Sequence, residues 1–377
     1  MARMLASVQK IISIEPIEGA DRIELAKVLG WQVVVKKGEF RVGDLCCYIE
    51  IDSILPEKPC FEFMKERKYR VRTIRLRKVL SQGLLMPLDE LELKGKFKQG
   101  DDLTDKIGIT KWEPPEDTGT VYQNKKPKSF WWKLVYTLPF LKMFRKKCGK
   151  GASFPSHLVP KTDETRLQAF EQGFLEKYKD IEISVTTKMD GSSTTFILNK
   201  GKFSVASRNV WMIEKNDSNF WKIADQTNIA KAMKQVFGKR NICLQGEVCG
   251  PSIQDNKYKF TGLRYFLFGA FDTDKREYFT PKELSDAYIK LLAAGATIEH
   301  VPVIINPDEH KKIGDIGLNV EDWLKLSESK SIFNSETWNE GIVIRSLDNK
   351  PYGVHGMEDG RFSFKSVAPA FLLQWNL

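Results

Sequence analysis

A lysine followed by an acidic residue and a glycine stands between two apolar runs, as Lys188-Met189-Asp190-Gly191. The runs Ile183 to Thr187 and Ser193 to Leu198 are typical of strands. A lysine between two strands can present its amine to a cleft, and the glycine permits a tight turn. Such an amine is a nucleophile once it has lost its proton. Taken alone, the four residues are equally typical of an ordinary hairpin turn.

Four further segments follow this lysine along the chain. Each has an ordinary explanation, as strand residues, core residues or a surface lysine, so only their order and spacing make them a set. They are Ala206-Ser207-Arg208-Asn209, Gln245-Gly246-Glu247, the aromatic-rich Tyr265 to Asp272, and Glu340-Gly341 followed by Phe364-Lys365. Their carboxylates are hard oxygen ligands suited to Mg²⁺ or Mn²⁺, and their cations suit a phosphate.

The whole set resembles the covalent nucleotidyltransferase superfamily, which contains ATP-dependent DNA ligases, RNA ligases and mRNA capping enzymes. Within it, three stretches resemble the RNA ligases that carry an OB domain ahead of the catalytic domain: Pro160 to Arg166, Gly246 to Pro251 and Ser363 to Val367. Gly19 to Ile23 resembles the OB domain of that family. The resemblance therefore covers nearly the whole chain.

This resemblance implies an ATP-dependent RNA ligase that joins 3′-hydroxyl and 5′-phosphate ends through a lysyl-AMP intermediate, with Mg²⁺ or Mn²⁺. The implied catalytic residues are Lys188, Glu340 and Lys365. The implied nucleotide contacts are Thr187, Arg208, Glu247, Phe271 and Lys365, and the implied metal ligands are Asp190, Glu247 and Glu340. Phe271 would stack on adenine. Many relatives have a second lysine where this chain has Ser363, which leaves open which group shares the phosphate contacts.

Two rival functions are consistent with parts of the sequence. A DNA ligase or capping guanylyltransferase would keep the nucleophile, but those relatives usually place the OB domain after the catalytic domain. A non-catalytic RNA-binding protein would need only the N-terminal half, and it leaves the set around Lys188 unexplained.

The pattern of elements predicts an α+β protein with an N-terminal barrel. Short strands with little helix, over 1–112, are typical of an OB-type barrel. Residues 113–150 combine a polar linker with a basic aromatic segment, predicted either to bind nucleic acid or to pack as an amphipathic helix. Residues 151–377 mix strands and helices, which predicts a nucleotidyltransferase domain built on antiparallel sheets. Thr280-Pro281-Lys282-Glu283 predicts a helix that starts there and ends at Gly295.

Composition points to a polyanionic partner. The 377 residues include 59 Lys and Arg against 49 Asp and Glu, a formal charge of +10, which favours polyanions such as nucleic acid, ATP or an anionic surface, or is simply a basic surface. The resemblance implies RNA as the partner, as nicked or duplex-held ends. The run Tyr69 to Leu80 alternates basic and apolar residues, with a turn or bulge expected near Thr73. It is typical of a strand that binds a phosphate backbone, and equally of a strand face that is simply solvated. Six cysteines without a Cys-x-x-Cys pair favour a reducing compartment. With no signal-peptide pattern or membrane span in the sequence, we expect an intracellular protein, cytoplasmic or nuclear, with no obligate protein partner.

Overall fold

A computed structural model describes residues 4–112, 152–354, 357 and 361–377. The predicted linker and basic aromatic segment, 113–150, lies outside the described residues. Contacts divide the chain into two compact units. The first unit comprises Met1–Glu116, Asp163–Lys188 and Pro302–Leu377, and the second comprises Asp117–Thr162 and Met189–Val301. The predicted domain boundaries remain predictions, since compactness groups part of the C-terminal half with the N-terminal strands.

The N-terminal part of the first unit is built from short strands. They are β1 (Ala6–Lys10), β2 (Ser13–Pro16), β3 (Ile23–Val28), β4 (Trp31–Lys36), β5 (Leu45–Ile49), β6 (Ser53–Ile54), β7 (Thr73–Leu76), β8 (Val79–Gln82), β9 (Leu84–Pro87) and β10 (Thr110–Lys111). A 3₁₀ helix, Pro59–Arg67, follows β6, another covers Asp89–Leu91, and helix α1 (Thr104–Ile107) precedes β10. The strands pair in the orders β1-β5-β9, β2-β3-β4, β7-β8 and β10-β6.

Period-two burial explains these strands. In β4, Trp31, Val33 and Val35 are buried while the intervening residues are half-buried, as expected of a strand with one face on a core. The same core includes Phe371 and Leu372 from the C-terminal helix. The N-terminal barrel of the first unit is therefore closed by residues from the far end of the chain.

The basic run Tyr69 to Leu80 continues into a hairpin that spans Thr73 to Gln82, while Arg70 and Val71 pair with Ile54 and Ser53. Strand β7 begins at Thr73, and the reversal to β8 falls at Arg77 and Lys78, which have φ values of 48° and 68°. The expected turn near Thr73 is therefore wrong. A two-residue turn with positive φ at both positions matches the twist of paired strands, but no glycine stands at either position to signal it.

The remaining strands are β11 (Ala152–Ser153), β12 (Thr165–Arg166), β13 (Ile183–Lys188), β14 (Ser192–Asn199), β15 (Lys202–Ser207), β16 (Val210–Met212), β17 (Ile242–Cys249), β18 (Arg264–Asp272), β19 (Glu277–Tyr278), β20 (Glu299–His300), β21 (Val303–Ile305), β22 (Gly341–Ser346) and β23 (Ser363–Val367). The helices are α2 (Phe174–Lys177), α3 (Asn219–Gln226), α4 (Ile229–Phe237), α5 (Pro281–Ala293), α6 (Ile313–Ile316), α7 (Val320–Ser327) and α8 (Pro369–Trp375). Short 3₁₀ turns cover Leu167–Ala169, Gln254–Asn256 and Pro307–Glu309.

Each unit has one main sheet in this half of the chain. The first unit has the order β12-β23-β22-β13-β21, antiparallel except for the parallel pair β12 and β23. The second unit has the order β11-β16-β15-β14-β17-β18-β19, and β20 pairs in parallel with β18. Mixed helices and largely antiparallel sheets confirm the predicted α+β class.

Helix α5 begins as the sequence predicts. The Thr280 hydroxyl accepts a hydrogen bond from the Glu283 backbone N–H, and the Glu283 carboxylate accepts one from the Thr280 N–H. This reciprocal capping satisfies donors that an α-helix leaves unpaired at its start. Helices α3, α4 and α5 cover one face of the second unit's sheet, with Phe196 and Leu244 buried beneath them. Among the helices of the described residues, none has the length and apolarity to span a bilayer.

Candidate functional site

Lys188 is the last residue of β13 in the first unit. Its neighbour across the sheet is Gly341 of β22. The Lys188 Nζ lies 2.7 Å from Glu340 Oε2, with 26% of the lysine side chain and 18% of the glutamate side chain exposed. A charge-assisted hydrogen bond at this distance fixes the position of the amine. The amine is thus oriented and still partly open to a ligand.

Gly341 allows Glu340 to reach this position. Its φ is 153°, and a Cβ at residue 341 would overlap the Ser366 carbonyl and lie 2.8 Å from the Val367 Cα. Only glycine tolerates such a close approach of two strands. The Glu340-Gly341 pair seen in the sequence therefore has a direct steric cause.

Strand register aligns a row of polar side chains on the face of Lys188. Val343 of β22 pairs with Lys365 of β23, which in turn pairs with Arg166 of β12. Arg345 of β22 pairs with Ser363 of β23. Because residues at even separation along a strand share a face, Lys188, Lys365 and Arg345 belong to one face. The structure thus brings the three predicted catalytic residues onto or beside one face of a sheet.

Lys365 is held by an acidic neighbour. Its Nζ lies 3.2 Å from Asp163 Oδ1, while Asp163 Oδ2 lies 2.9 Å from the Lys111 Nζ. One carboxylate therefore orients two cations, one from β23 and one from β10. Asp163 was not among the predicted site residues.

Glu164, also not predicted, organises a second group of cations in the first unit. Its Oε1 accepts hydrogen bonds from Arg345 Nη2 at 3.1 Å, Arg361 Nη2 at 3.5 Å and the Ser363 hydroxyl at 3.5 Å. Burial alone would raise the pKa of Glu164, but Arg345, Arg361 and Lys365 outweigh it and lower the pKa to about 2. Glu164 is therefore ionised at any physiological pH and holds these cations in place.

Thr187 lies on the opposite face from Lys188. It pairs with Ile342, whose face contributes Ile183, Val185 and Phe364 to a buried apolar cluster. The predicted nucleotide contact of the Thr187 side chain stays a prediction, and the alternation of the strand does not favour it.

Glu247 and Phe271 share a face of the second unit's sheet. Glu247 pairs with Ser193 and Phe266, and Phe271 pairs with Cys243 two rungs further along the same face. Glu247 is half-buried, whereas Phe271 is 1% exposed. This is the sheet face that helices α3 to α5 leave uncovered.

Phe271 is packed by protein on several sides. The edge of its ring meets Tyr278 with the ring centroids 4.9 Å apart, and the Arg276 guanidinium lies 5.4 Å from its centroid. Burial of this kind accounts for the residue as core of the strand. Its predicted stacking on adenine stays a prediction.

Phe268 is a second aromatic candidate on β18. The register shifts between Gly246, which pairs with Leu267, and Gln245, which pairs with Gly269, so Phe268 occupies a β-bulge. It is half-buried. Bulges re-aim side chains and are common next to active sites. Phe268 was not among the predicted site residues, because a β-bulge has no local signature in the sequence.

Arg208 and Asp190 stand at turns of the second unit. Arg208 is exposed between β15 and β16, and the next residue, Asn209, accepts a hydrogen bond from the Lys161 Nζ at 3.0 Å. Asp190 lies between β13 and β14, and its carboxylate accepts a 2.6 Å hydrogen bond from Lys257. In the described part of the chain, no three His, Cys, Asp or Glu side chains converge as a metal site.

The contacts missed by sequence reasoning have one weak signal in common. Asp163 and Glu164 lie in the Pro160 to Arg166 stretch, which was singled out by resemblance without a role for either acid. Lys257 and Tyr258 lie just beyond Gly246 to Pro251, the second such stretch. Charged residues within or just beyond these stretches were the only indication in the sequence that such contacts exist.

Fold and site together define an enzyme of the nucleotidyltransferase type that begins with a barrel of short strands. Residues 5–88 match an OB-fold domain family, and residues 181–367 match the RNA ligase family. A comparison with curated protein sequences found no match.

Solved structures of Naegleria gruberi RNA ligase are similar over the full chain. A substituted form with ATP and Mn shows 32% identity, covers 98% of this chain and 98% of that chain, and has a TM-score of 0.79. The form with pyrophosphate shows 32% identity at the same coverage, with a TM-score of 0.77. A substituted form with AMP and Mn shows 31% identity, again at 98% of both chains, with a TM-score of 0.77. This chain belongs to the RNA ligase family, and the predicted OB-type barrel is confirmed.

Proposed function

We propose that this enzyme uses ATP to seal RNA ends, with Lys188 as the residue that carries AMP. The observation behind the proposal is the Lys188 amine held 2.7 Å from Glu340, on a sheet face shared with Lys365. The solved relatives carry ATP, AMP or pyrophosphate, which are a substrate, a fragment and a by-product of such a reaction.

In the first step the lone pair of the Lys188 amine attacks the α-phosphorus of ATP. A nitrogen–phosphorus bond forms, the bond from the α-phosphorus to the bridging oxygen breaks, and pyrophosphate leaves with its electron pair. The amine must lose a proton, and Glu340 Oε2 is the acceptor already hydrogen-bonded to it. The product is a lysyl-AMP phosphoramidate.

Lys365 is suited to the α-phosphate because charge on the transferred group is best stabilised by fixed cations. Arg345 lies opposite Ser363, in the row where many relatives have a further lysine. Its guanidinium, kept in place by Glu164, supports a role in the phosphate contacts that Ser363 cannot supply.

The carboxylates fit a divalent cation chemically. Asp190, Glu247 and Glu340 offer hard oxygen ligands suited to Mg²⁺ or Mn²⁺, and Asp190 and Glu340 each already have a lysine within hydrogen-bonding distance. A lysine beside each of these two carboxylates favours contact with a cation through its water shell over direct binding. A bound cation supplies positive charge that offsets the triphosphate. The Naegleria gruberi enzyme has been solved with Mn.

The second unit supports recognition of the nucleotide. Glu247 is suited to a ribose hydroxyl, and Arg208, at an exposed turn, to a ribose or to a phosphate of the RNA end. An aromatic ring of β18 would stack on adenine. Phe271 is the candidate from sequence, and its burial favours Phe268 for the direct contact.

Sealing requires two further transfers. The RNA 5′-phosphate attacks the phosphorus of lysyl-AMP, which releases the lysine and forms an AMP-capped end. A 3′-hydroxyl then attacks the 5′-phosphorus, and AMP leaves. Nicked or duplex-held RNA fits this chemistry because both ends are held together. The basic hairpin β7–β8 of the barrel is the proposed backbone contact, and a role in RNA repair follows from such a substrate.

One labelling experiment tests the proposal. The protein is incubated with Mg²⁺ or Mn²⁺ and with ATP or GTP labelled at the α-phosphate, and covalent label is measured. We expect label from ATP alone, absent in Lys188→Ala and retained in Lys202→Ala, a change of an exposed lysine. Label from GTP would support a capping enzyme, and no label with either nucleotide would support a binding protein. Nicked duplexes with RNA or DNA on the 3′-hydroxyl side then separate RNA from DNA ligation.

A further inference from the structure

A single segment of the second unit holds Asp190 at three points. The Lys257 Nζ donates to Asp190 Oδ2 at 2.6 Å. The Asp190 backbone N–H donates to the Tyr258 hydroxyl at 2.8 Å, and the Cys249 thiol donates to the Asp190 carbonyl at 3.5 Å. Side chain, N–H and carbonyl of one residue are therefore all engaged by the chain between residues 249 and 258.

The ion pair between Lys257 and Asp190 is shielded from water. The lysine side chain is 4% exposed and the aspartate side chain 14% exposed, and the Lys257 Nζ also donates to the Gln254 carbonyl at 3.1 Å. Buried charges are costly unless paired in good geometry. An exposed aspartate would cap a turn without such a partner, so turn formation alone does not account for this lysine.

The backbone that delivers Lys257 is strained. Gln254, Asp255 and Asn256 have φ values of 43°, 59° and 47° in succession, a left-handed conformation that L-residues rarely adopt in a run. The Asn256 side chain braces the loop, because it donates to the Phe260 carbonyl at 2.9 Å and accepts from the Phe260 N–H at 3.0 Å. Strain held by such bracing is concentrated at functional sites.

The residue after Asp190 is packed against the same segment. A Cβ on Gly191 would overlap the Val248 carbonyl and lie 2.8 Å from the Cys249 Sγ and 2.9 Å from the Glu247 Cγ. The backbone of the turn after β13 is therefore restricted by these close contacts, and Asp190 lies at the start of this turn.

We propose that Lys257 and Tyr258 are positioning residues for adenylylation. They fix the carboxylate and the backbone of Asp190. They thereby also fix the turn that connects Asp190 to Lys188, which lies two residues earlier in the chain. This inference rests on the proposed function of Lys188. It assigns a catalytic purpose to a buried lysine and a strained loop that the nucleophile, the phosphate cations and the base-stacking ring do not use.

The test compares two lysines of the same loop. Lys257→Met and Lys259→Met remove one positive charge each, and Lys259 is exposed. Single-turnover label transfer from ATP is measured over a range of ATP concentrations. We expect Lys257→Met to lower the maximal rate about 10- to 100-fold, as loss of an orienting partner does, with an unchanged half-saturating ATP concentration. Lys259→Met should stay within about twofold of the wild type, and Lys257→Arg should recover part of the rate.

A second variant covers the case in which Lys257→Met does not fold. Tyr258→Phe keeps the ring and removes only the oxygen that accepts the Asp190 N–H, and we expect a lower maximal rate. In an Asp190→Asn background, Lys257→Met should cause little further loss, because coupled residues are not additive. A rate for folded Lys257→Met equal to that of Lys259→Met overturns the proposal, as does full activity of Tyr258→Phe. Absence of label in the wild type would instead overturn the proposed function.

Discussion

The main sheets of the two units carry contrasting faces. In the first unit, Lys188, Lys365 and Arg345 share a face with the buried carboxylate of Glu164 beside them. In the second unit, the sheet face that carries Glu247 also buries the rings of Phe271 and Tyr278 in an apolar cluster, and it is called the aromatic face below. The proposed function assigns the phosphate charge to the first sheet and the flat base to the second. The difference suggests that group transfer and nucleotide recognition depend on different physical forces.

The contrast has an energetic basis. Cations crowded on one face repel one another, so Asp163 and Glu164 are needed as counter-charges. The aromatic face needs no counter-charge, because apolar rings are stabilised by burial alone. Substitutions in the first unit should therefore act on rate and on pH behaviour, whereas those on the aromatic face should act on nucleotide affinity and stability.

The largest effect is expected at Glu340 and Lys365. Glu340→Ala or Lys365→Ala should lower the rate of lysyl-AMP formation about 100- to 1000-fold, the usual cost of removing one preorganised charge. The measurement is covalent label from ATP, with the exposed Lys325→Ala as control. Full adenylylation by either variant would show that its assigned role is wrong and that the charged face does not act as a unit.

Glu164→Gln should come next, with an effect on stability that depends on pH. The folded pKa of about 2 lies below the ordinary 4.5. A carboxylate with a depressed folded pKa stabilises the fold fully above about pH 4.5 and loses this contribution as pH falls toward 2. At pH 7 the variant should be less stable by about 3 kcal/mol, the free-energy equivalent of lowering the pKa from 4.5 to about 2.

Urea unfolding at several pH values measures this. The difference in unfolding free energy between the wild type and Glu164→Gln should be constant near neutral pH, and it should become smaller below about pH 4.5. Glu176→Gln, at an exposed pair with Lys179, should show almost no gap, since exposed pairs contribute little. A gap for Glu164→Gln that does not change with pH would argue against the paired, ionised carboxylate.

Local patterns in the sequence were enough for many elements. Strand β13 extends one residue past the predicted run Ile183 to Thr187, and β14 extends one residue beyond each end of the predicted run Ser193 to Leu198. The capping pattern of Thr280 and Glu283 correctly predicts where α5 begins. These features depend on neighbours within a few residues, which is the range that periodicity and caps report.

The supporting contacts of the site could not be predicted in this way. Lys365 and Asp163 are 202 positions apart, and Arg345 and Glu164 are 181 apart. They meet because β12 pairs in parallel with β23, and no local pattern signals that pairing. The alternation of β18 likewise shows which rings share a face, but the bulge at Phe268 and the burial of Phe271 depend on the tertiary fold.

A smaller effect should separate the two rings of β18. Phe268→Leu should raise the half-saturating ATP concentration about tenfold, because a stacked ring contributes roughly 1 to 3 kcal/mol per base. Phe271→Leu should leave ATP affinity nearly unchanged and lower the thermal midpoint by about 2 °C, as a buried swap of similar volume does. The reverse pattern would return adenine stacking to Phe271, the residue indicated by the sequence.

The smallest effects are expected at the hairpin of the barrel. Arg77 and Lys78 are exposed at its tip, and both hold positive φ values that glycine would adopt more easily. If the tip contacts the RNA backbone, Arg77→Gln and Lys78→Gln should each lower the slope of log affinity for a nicked duplex against log salt concentration. The decrease should correspond to about one lost phosphate contact. Affinity for a nicked duplex should fall a few-fold at constant salt, while label transfer from ATP stays at the wild-type rate. Lys96→Gln, a change of another exposed barrel cation, should leave the salt dependence unaltered. An equal change for all three variants would mean that the barrel attracts RNA through its net charge, and the hairpin would then have no special part in binding.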